Sequence, residues 1–204
     1  MGGQTALGLG LAFATKYLGE KKVCYCYMGD GAVNQGAFHE SLNLAQLMKI
    51  PVIYVIENNM YSMGTAVERH SAPVELYKRA LGYDMLGVRA EAQDFDLVRQ
   101  VSWTLAERAR KENLPAILEL MTYRYRGHSM SDPQYYRSKE EVEEYRKHDP
   151  IEILRGRILS EGTVNEKDLE ALEEVVRKEI QEAHEWALAS PFPSQSEIYT
   201  DIYA

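Results

Sequence analysis

The feature that most constrains the fold is a continuous apolar run, VIYVIE at residues 52–57, which directly follows Pro51. A run that is apolar at nearly every position is typical of a parallel strand covered on both faces. Another apolar run lies in a predicted strand at 22–28, and a stretch with helical spacing at about 34–48 separates the two. The order strand, turn, helix, strand predicts a parallel pairing of the two strands.

The same alternation continues along the chain and predicts an α/β fold, with a mostly parallel sheet and helices on both faces. The first predicted helix carries Gly8 and Gly10, which allow another backbone to come close. The other predicted elements are a helix at 4–18, a short helix at 73–81, a strand at 85–90, an amphipathic helix at 94–111 and a strand at 116–125.

The character of the chain changes at residue 138. Three charged, amphipathic segments follow without a strand between them, and their charge runs are interpreted as solvated helix faces. The last residues, SPFPSQSEIYTDIYA, cannot be helical through their prolines, but they are rich in apolar side chains. We therefore expect a helical C-terminal part and an extended tail that lies on this chain or on a partner.

Composition excludes several classes of protein. The chain has 204 residues, 45% hydrophobic and 26% charged, which is ordinary for a globular domain. A net charge of −8 argues against a nucleic-acid partner, which would require a concentrated basic surface. The chain has no apolar run of the roughly 18 residues that suggest a membrane span, and its first residues lack the basic start of a secretory signal. An intracellular protein is expected.

The two cysteines alternate with apolar residues in the first predicted strand. Cys24 and Cys26 therefore lie on the same side of that strand. A zinc site would need further ligands at suitable spacing, and the sequence offers none. Both are interpreted as buried structural thiols.

The turn after the first strand, Gly29-Asp30-Gly31, lies where ligands collect in an open α/β sheet. Glycines and the start of a helix suit a phosphate, but Asp30 would repel a phosphate unless a cation lay between them. Mg²⁺ prefers oxygen ligands and bridges proteins to phosphates. A second oxygen ligand is expected at the end of the neighbouring strand, where Asn58 and Asn59 follow Gly31 after one helix and one strand.

Other interpretations of this turn remain open. Gly-Asp-Gly is also good turn chemistry without a ligand. A dinucleotide fingerprint, with Glu57 as the ribose-binding acid, would need a third glycine where Asn34 stands. A nucleotide-binding domain is therefore the weaker hypothesis, and Gly-Asp-Gly combined with paired asparagines at this interval is much the more specific signal.

The stretches GDGAVNQGAFHESLNLA, ENNMYSMGTAVERHSA and YRYRGHSMSDP resemble the thiamine diphosphate enzymes, in particular the α subunits of the E1 components of 2-oxo acid dehydrogenase complexes, of the pyruvate type. The resemblance extends over the whole chain. It implies a thiamine diphosphate-binding fold, in which residues 1–137 form the cofactor-binding core without its N-terminal part, and residues 138–204 form a helical part and tail of the same domain.

The resemblance also implies roles for individual residues. The active-site histidine, in a loop that closes over the cofactor, corresponds to His128, and Ser129 corresponds to a serine that is phosphorylated in mitochondrial relatives. His39, His70, His148 and His184 receive no role. The implied Mg²⁺ ligands are Asp30, the side chain of Asn59 and the carbonyl of Tyr61, and the implied cofactor contacts are Met1, Gly29, Asp30, Gly31, Ala32, Asn59, Tyr61 and His128.

The implied activity is the oxidative decarboxylation of pyruvate, with thiamine diphosphate and Mg²⁺ as cofactors and with acetyl transfer to the lipoyl domain of an E2 acyltransferase. A β subunit would complete the active centre in an α₂β₂ assembly. Ala66 stands where kinase-regulated relatives have a serine, which favours a bacterial, cytoplasmic protein over one of the mitochondrial matrix. The alternatives are an acetoin or branched-chain 2-oxo acid enzyme and a non-catalytic assembly module.

Overall fold

A computed structural model describes residues 2–200 and 202, and the predicted cofactor contact of Met1 therefore lies outside the described residues. The helices are α1 Gly3–Tyr17, α2 Gly36–Leu47, α3 Val67–His70, α4 Phe95–Glu112, α5 Lys139–Arg146, α6 Pro150–Glu161 and α7 Glu166–Ala189. The strands are β1 Cys24–Gly29, β2 Val52–Asn58, β3 Tyr61–Ser62, β4 Thr65–Ala66, β5 Leu86–Glu91 and β6 Ala116–Met121, and 3₁₀ helices span Asp30–Asn34, Leu76–Tyr83 and Gln195–Tyr199.

In the described part of the chain the main sheet has four strands in the order β1-β2-β6-β5. Every neighbouring pair is parallel. The register places Gly29 opposite Glu57, and Asn58 opposite Met121, so that the carboxyl ends of β1, β2 and β6 meet at one edge. The predicted α/β class with a parallel sheet is confirmed, and the predicted turn after the first strand lies at that ligand-binding edge.

The two faces of the sheet bury separate cores, which explains why β2 is apolar at successive positions. Val52, Tyr54 and Ile56 point into a core shared with α1 and α2. The alternating Ile53 and Val55 point into a smaller core under α4. Successive side chains of a strand face opposite ways, and helices cover both faces here, so neither set of positions tolerates polar residues.

The largest departure from the sequence predictions lies between residues 58 and 85. The polar stretch 58–72 contains the two-stranded antiparallel hairpin β3–β4 and the single-turn helix α3, none of which was predicted. The helix predicted at 73–81 is a 3₁₀ helix that begins three residues later, at Leu76. Strands of two residues and a helix of one turn are too short to show a hydrophobic period, and periodicity was the basis of the predictions.

The chain divides into two compact units, residues 1–154 and 155–204. In the second unit, α7 begins with a reciprocal capping box in which the Asn165 side chain accepts from the Asp168 amide and Asp168 accepts from the Asn165 amide. Arg155 forms ion pairs with Glu166 and Glu173. The predicted helical character after residue 138 is confirmed, whereas the predicted functional division between residues 137 and 138 stays a prediction. None of the described helices combines the length and apolar character that crossing a bilayer requires.

The two glycines of α1 have different surroundings. A Cβ atom added to Gly8 would lie 2.8 Å from Cβ and Sγ of Cys26 and 3.8 Å from Sγ of Cys24, whereas one added to Gly10 would meet no atom within 4 Å. A close approach therefore occurs at Gly8, where α1 lies against β1, but the atoms that approach belong to the side chains of Cys26 and Cys24 and not to the backbone that was predicted. The contact also confirms that both cysteines face the same side of the strand. Cys26 is buried, as predicted, but Cys24 is only partly buried.

We expect the substitutions Gly8→Ala and Gly10→Ala to change stability in opposite directions. Gly8→Ala should lower the free energy of unfolding by about 1–3 kcal/mol, because overpacking a rigid contact costs that much. Gly10→Ala should raise it by about 0.5–1 kcal/mol, because alanine is the better helix former at an unhindered position. Urea denaturation of both variants measures the difference. Equal stabilisation by both would contradict the close approach of α1 to β1.

Candidate functional site

The candidate site begins with the turn that ends β1. Gly29 is extended, with φ −78° and ψ 163°, and Asp30 starts the 3₁₀ helix Asp30–Asn34. The apolar Ala32 and Val33 of this helix are buried in the core and hold it against the sheet. As a result Asp30 is only 1% exposed, although it lies at the edge of the sheet where ligands bind.

The buried carboxylate of Asp30 lies in hydrogen-bond contact with the imidazole of His70. Nε2 of His70 lies 3.0 Å from its Oδ2. Burial raises the pKa of Asp30. Three neighbouring groups oppose that shift only in part: His70 through its hydrogen bond and its charge, the amide of Asp30 itself, and the nearby Arg124. A raised carboxyl pKa means that the ionised form is less stable in the folded chain than in the unfolded chain, so its cost is present at neutral pH. A cation bound to Asp30 would remove this cost.

The loop after β2 carries the other predicted metal ligands. The amide oxygen of Asn59 accepts from the backbone N–H of Tyr61 at 3.2 Å, and that of Asn58 accepts from the N–H of Met60 at 3.0 Å. Both asparagines therefore close local turns, as this side chain commonly does. The turns fix the orientation of the Asn59 amide and of the backbone at Tyr61, which is buried.

The turn after β1 and the loop after β2 touch each other directly. A Cβ added to Gly31 would overlap Oγ of Ser62 and lie 2.7 Å from its Cβ. The glycine at position 31 is therefore required by packing against β3, quite apart from any ligand. A Cβ added to Gly29 would meet no atom within 4 Å, so packing does not require that glycine.

A buried glutamate in β6 anchors the loop after β2, and the sequence predictions did not identify it. Glu119 is 0% exposed, and its Oε1 accepts from Nδ2 of Asn58 at 2.7 Å. Its Oε2 accepts from the backbone N–H of Tyr77 at 2.9 Å. One carboxylate thus ties the end of β2 to the 3₁₀ helix Leu76–Tyr83. The available signal was a single charged residue inside an otherwise apolar parallel strand, AILELM.

The loop after β6 reaches the site through Arg124. Its guanidinium donates to the carbonyls of Tyr61, at 3.5 Å, and Met63, at 2.6 Å. His128 follows in an exposed segment, and its backbone N–H donates to Oδ2 of Asp132 at 2.7 Å. Asp132 also accepts from the hydroxyl of Tyr136. The structure thus places the loop that carries His128 beside the predicted metal-ligating carbonyl, while the side chain of His128 is exposed.

An aromatic cluster attaches α5 to the same loops. The hydroxyls of Tyr61 and Tyr123 both donate to Oε1 of Glu141, at 2.9 and 2.7 Å. The ring of Tyr123 stacks on Tyr145 with centroids 3.9 Å apart. Burial, together with the hydrogen bond to Glu141, raises the pKa of Tyr123 to about 12, so the hydroxyl stays a donor. Helix α5 therefore helps to hold the loops after β2 and β6 together.

The structure brings most of the predicted site residues to one edge of the sheet. Gly29, Asp30, Gly31 and Ala32 follow β1, and Asn59 and Tyr61 lie in the loop that packs on them; the roles of these residues remain predictions. Among the described residues, no group of three or more His, Cys, Asp or Glu side chains is placed to hold a metal ion. A cation at Asp30 would therefore depend on amide and carbonyl oxygens, the kind of ligand that Asn59 and Tyr61 offer.

His70 is the residue beside Asp30 that the sequence predictions missed. It is separated from Asp30 by 40 positions and ends the unpredicted helix α3. No rule of sequence spacing links the turn after β1 to the last residue of α3, a helix of one turn that follows β4. Only the three-dimensional structure brings the two side chains together.

Comparison with known proteins gives consistent matches. The family described as "Dehydrogenase E1 component" matches residues 1–196. The pyruvate dehydrogenase E1 component subunit alpha of Rickettsia conorii is 46% identical over 203 residues, which cover 100% of this chain and 62% of that protein. The subunit of the same name from Rhizobium meliloti is 44% identical, covering 99% of this chain and 58% of that protein. The somatic, mitochondrial form of this subunit from Homo sapiens is 43% identical, covering 100% of this chain and 52% of that protein. The chain thus spans less than two thirds of the length of these relatives.

Proposed function

The chain belongs to the dehydrogenase E1 component family, and from this membership we propose that it is the α subunit of the E1 component of a pyruvate dehydrogenase. The family resemblance inferred from the sequence is confirmed. The proposed reaction is the thiamine diphosphate-dependent oxidative decarboxylation of pyruvate, with transfer of the acetyl group to the lipoyl group of E2. The proposed partners are a β subunit, in an α₂β₂ assembly, and the lipoyl domain of E2.

The structural observation that supports this proposal is a buried carboxylate at the ligand-binding edge of the sheet. Asp30 is 1% exposed, and burial raises its pKa. The loop with Asn59 and the Tyr61 carbonyl packs on the same turn through Ser62. A carboxylate, an amide oxygen and a carbonyl oxygen form a donor set that suits Mg²⁺. The residues present therefore fit the metal of a thiamine diphosphate site.

In this proposal Asp30, the side chain of Asn59 and the carbonyl of Tyr61 hold Mg²⁺, which in turn holds the diphosphate. The backbone of Gly29, Gly31 and Ala32 cradles the diphosphate, and the open space beside Gly29 supports this role, because a side chain there would extend into it. When bound, thiamine diphosphate supplies the nucleophile and the electron sink for decarboxylation. The predicted contact of Met1 with the cofactor stays a prediction.

His128 is proposed to act over the bound cofactor. Its imidazole can donate a hydrogen bond or a proton to oxygen atoms of the substrate, as a histidine in a closing loop commonly does. The loop is built for a defined position, because Asp132 accepts from the His128 amide and from Tyr136, and Arg124 holds the same segment against the loop after β2. The exposed side chain of His128 is free to face a ligand or a partner subunit.

The decisive test is the substitution Asp30→Asn in the chain combined with its β subunit. We expect thiamine diphosphate binding, followed by calorimetry, to require Mg²⁺ in the wild type. Affinity in the variant should fall by about 100-fold or more, since even outer partners of metal ligands are worth about 10–100-fold. Without metal and cofactor, the variant should melt at a higher temperature than the wild type, because it removes the buried charge.

The control is Asp84→Asn, which changes an exposed aspartate in a left-handed conformation that asparagine tolerates. It should change neither cofactor affinity nor melting temperature. Unchanged Mg²⁺-dependent affinity in Asp30→Asn would refute the metal assignment. Turnover of pyruvate, acetoin and branched-chain 2-oxo acids then distinguishes the three substrate classes, and a wild-type assembly that binds no cofactor would favour the non-catalytic assembly module.

A further inference from the structure

His70 occupies the centre of a chain of hydrogen bonds that ends on Asp30. Its Nε2 lies 3.0 Å from Oδ2 of Asp30. Its Nδ1 lies 3.1 Å from Nδ2 of Asn34 and 3.0 Å from the hydroxyl of Ser71. The side chains of His70 and Asp30 are 14% and 2% exposed, so water has little access to the contact between them.

Arg79 fixes the orientation of the Asn34 amide beside His70. A guanidinium has only donors, and its Nη2 lies 2.7 Å from Oδ1 of Asn34, which must therefore accept. The other end of the Asn34 amide is then the donor, and it lies within hydrogen-bond distance of Nδ1 of His70, of the carbonyl of His70 and of the hydroxyl of Ser71. Because the ionised carboxylate of Asp30 can only accept, the proton of a neutral His70 resides on Nε2, which donates to Asp30 and leaves Nδ1 as an acceptor. Arg79 also donates to the carbonyl of Val33 at 2.6 Å. This bond anchors the hydrogen-bonded side chains to the 3₁₀ helix that Asp30 begins.

We propose that His70 is a positioning residue for the metal-ligating carboxylate; this inference depends on the proposed function of Asp30. By occupying one lone pair of Oδ2, His70 favours ligation of a cation through Oδ1 alone over ligation through both carboxylate oxygens. Mg²⁺ demands near-ideal octahedral geometry, which a bidentate carboxylate distorts, whereas Ca²⁺ takes more ligands in flexible geometry and accepts bidentate carboxylates. His70 therefore favours Mg²⁺ over Ca²⁺ at this site.

The test uses the chain with its β subunit, saturating thiamine diphosphate, and titration with Mg²⁺ or Ca²⁺ followed by calorimetry. His70→Phe keeps a planar ring but has no donor. We expect its Mg²⁺ affinity to fall by about 10–100-fold, the usual cost of losing a partner of a metal ligand. Ca²⁺ affinity should fall less, so the preference for Mg²⁺ should decline. In His70→Gln the amide nitrogen can replace Nε2 as donor, so this variant should retain most of the Mg²⁺ affinity and most of the preference for Mg²⁺ over Ca²⁺.

The control is the same substitution at an exposed histidine of the first unit, His148→Phe, which should change neither affinity nor preference. If the wild type binds no metal, the proposed function itself fails. If the wild type binds metal through Asp30 but His70→Phe keeps the affinity and the preference, only the positioning role is overturned. ¹⁵N NMR of imidazole-labelled wild type tests the inference without any variant: a proton on Nε2 supports it, and a proton on Nδ1 overturns it.

Discussion

Replacing Glu119 with alanine is expected to lower the free energy of unfolding by about 2–6 kcal/mol, because one buried and one partly buried donor lose their acceptor and each unsatisfied group costs about 1–3 kcal/mol. The donors are Nδ2 of Asn58 and the backbone N–H of Tyr77. The isosteric substitution Glu119→Gln should still lower the free energy of unfolding by about 1–3 kcal/mol. A glutamine has one acceptor end and one donor end, so one of the two N–H groups must face another donor.

The loss should also reach the candidate site. Asn58 is held by Glu119, and its other end accepts from the N–H of Met60, between the predicted ligands Asn59 and Tyr61. A disordered Asn58 side chain would loosen that turn, so affinity for Mg²⁺ and thiamine diphosphate should fall in both variants. Urea denaturation and calorimetry measure the two effects.

The matched control for Glu119 is Glu91→Gln. Glu91 is an exposed glutamate of the neighbouring strand β5, and it pairs with Arg89 at the surface. Surface substitutions of this kind change stability by less than about 0.5 kcal/mol. If Glu119→Gln proved as stable as the wild type, the double-acceptor role of the carboxylate would be wrong.

The elements that the sequence predicted are those with a long hydrophobic pattern. β2 and α4 have the predicted extents within about two residues, because the apolar run of β2 and the helical period of α4 are each maintained over enough positions to be distinguished from chance. The strand predicted at 116–125 ends instead at Met121, where its pairing with β2 and β5 stops. The aromatic residues beyond it imitate a strand pattern, but Tyr123 stacks on α5.

The candidate site was predicted in part, and for a physical reason. The carboxyl ends of parallel strands meet at one edge, so two short motifs that follow consecutive strands can be placed together from the sequence. The positions of Asp30 and Asn59 follow from this rule. His70 and Glu119 do not, because each meets its partner through a tertiary contact, over 40 and 61 positions respectively. A single buried acid or histidine carries no periodic signal.

Replacing Gly31 with alanine should be among the most damaging single changes at the site. The added Cβ would overlap Oγ of Ser62 and lie 2.7 Å from its Cβ, and neither the 3₁₀ turn nor β3 can withdraw without moving the predicted metal ligands. Overpacking of this kind costs about 1–3 kcal/mol. Affinity for Mg²⁺ and thiamine diphosphate should fall with it, measured by calorimetry alongside urea denaturation.

Combining Gly31→Ala with substitutions of Ser62 tests which contact causes the loss of stability and affinity. In the Gly31→Ala background, Ser62→Ala removes only Oγ, which could also rotate away, so recovery should be small. Ser62→Gly removes Cβ as well and leaves Cα at 3.8 Å, an ordinary contact, so stability and affinity should largely return. Gly36→Ala, at a glycine whose added Cβ meets no atom within 4 Å, should be harmless throughout. If Ser62→Gly failed to restore stability, the direct packing of the two loops would be wrong, and with it the reason why a metal could join Asp30 to Asn59.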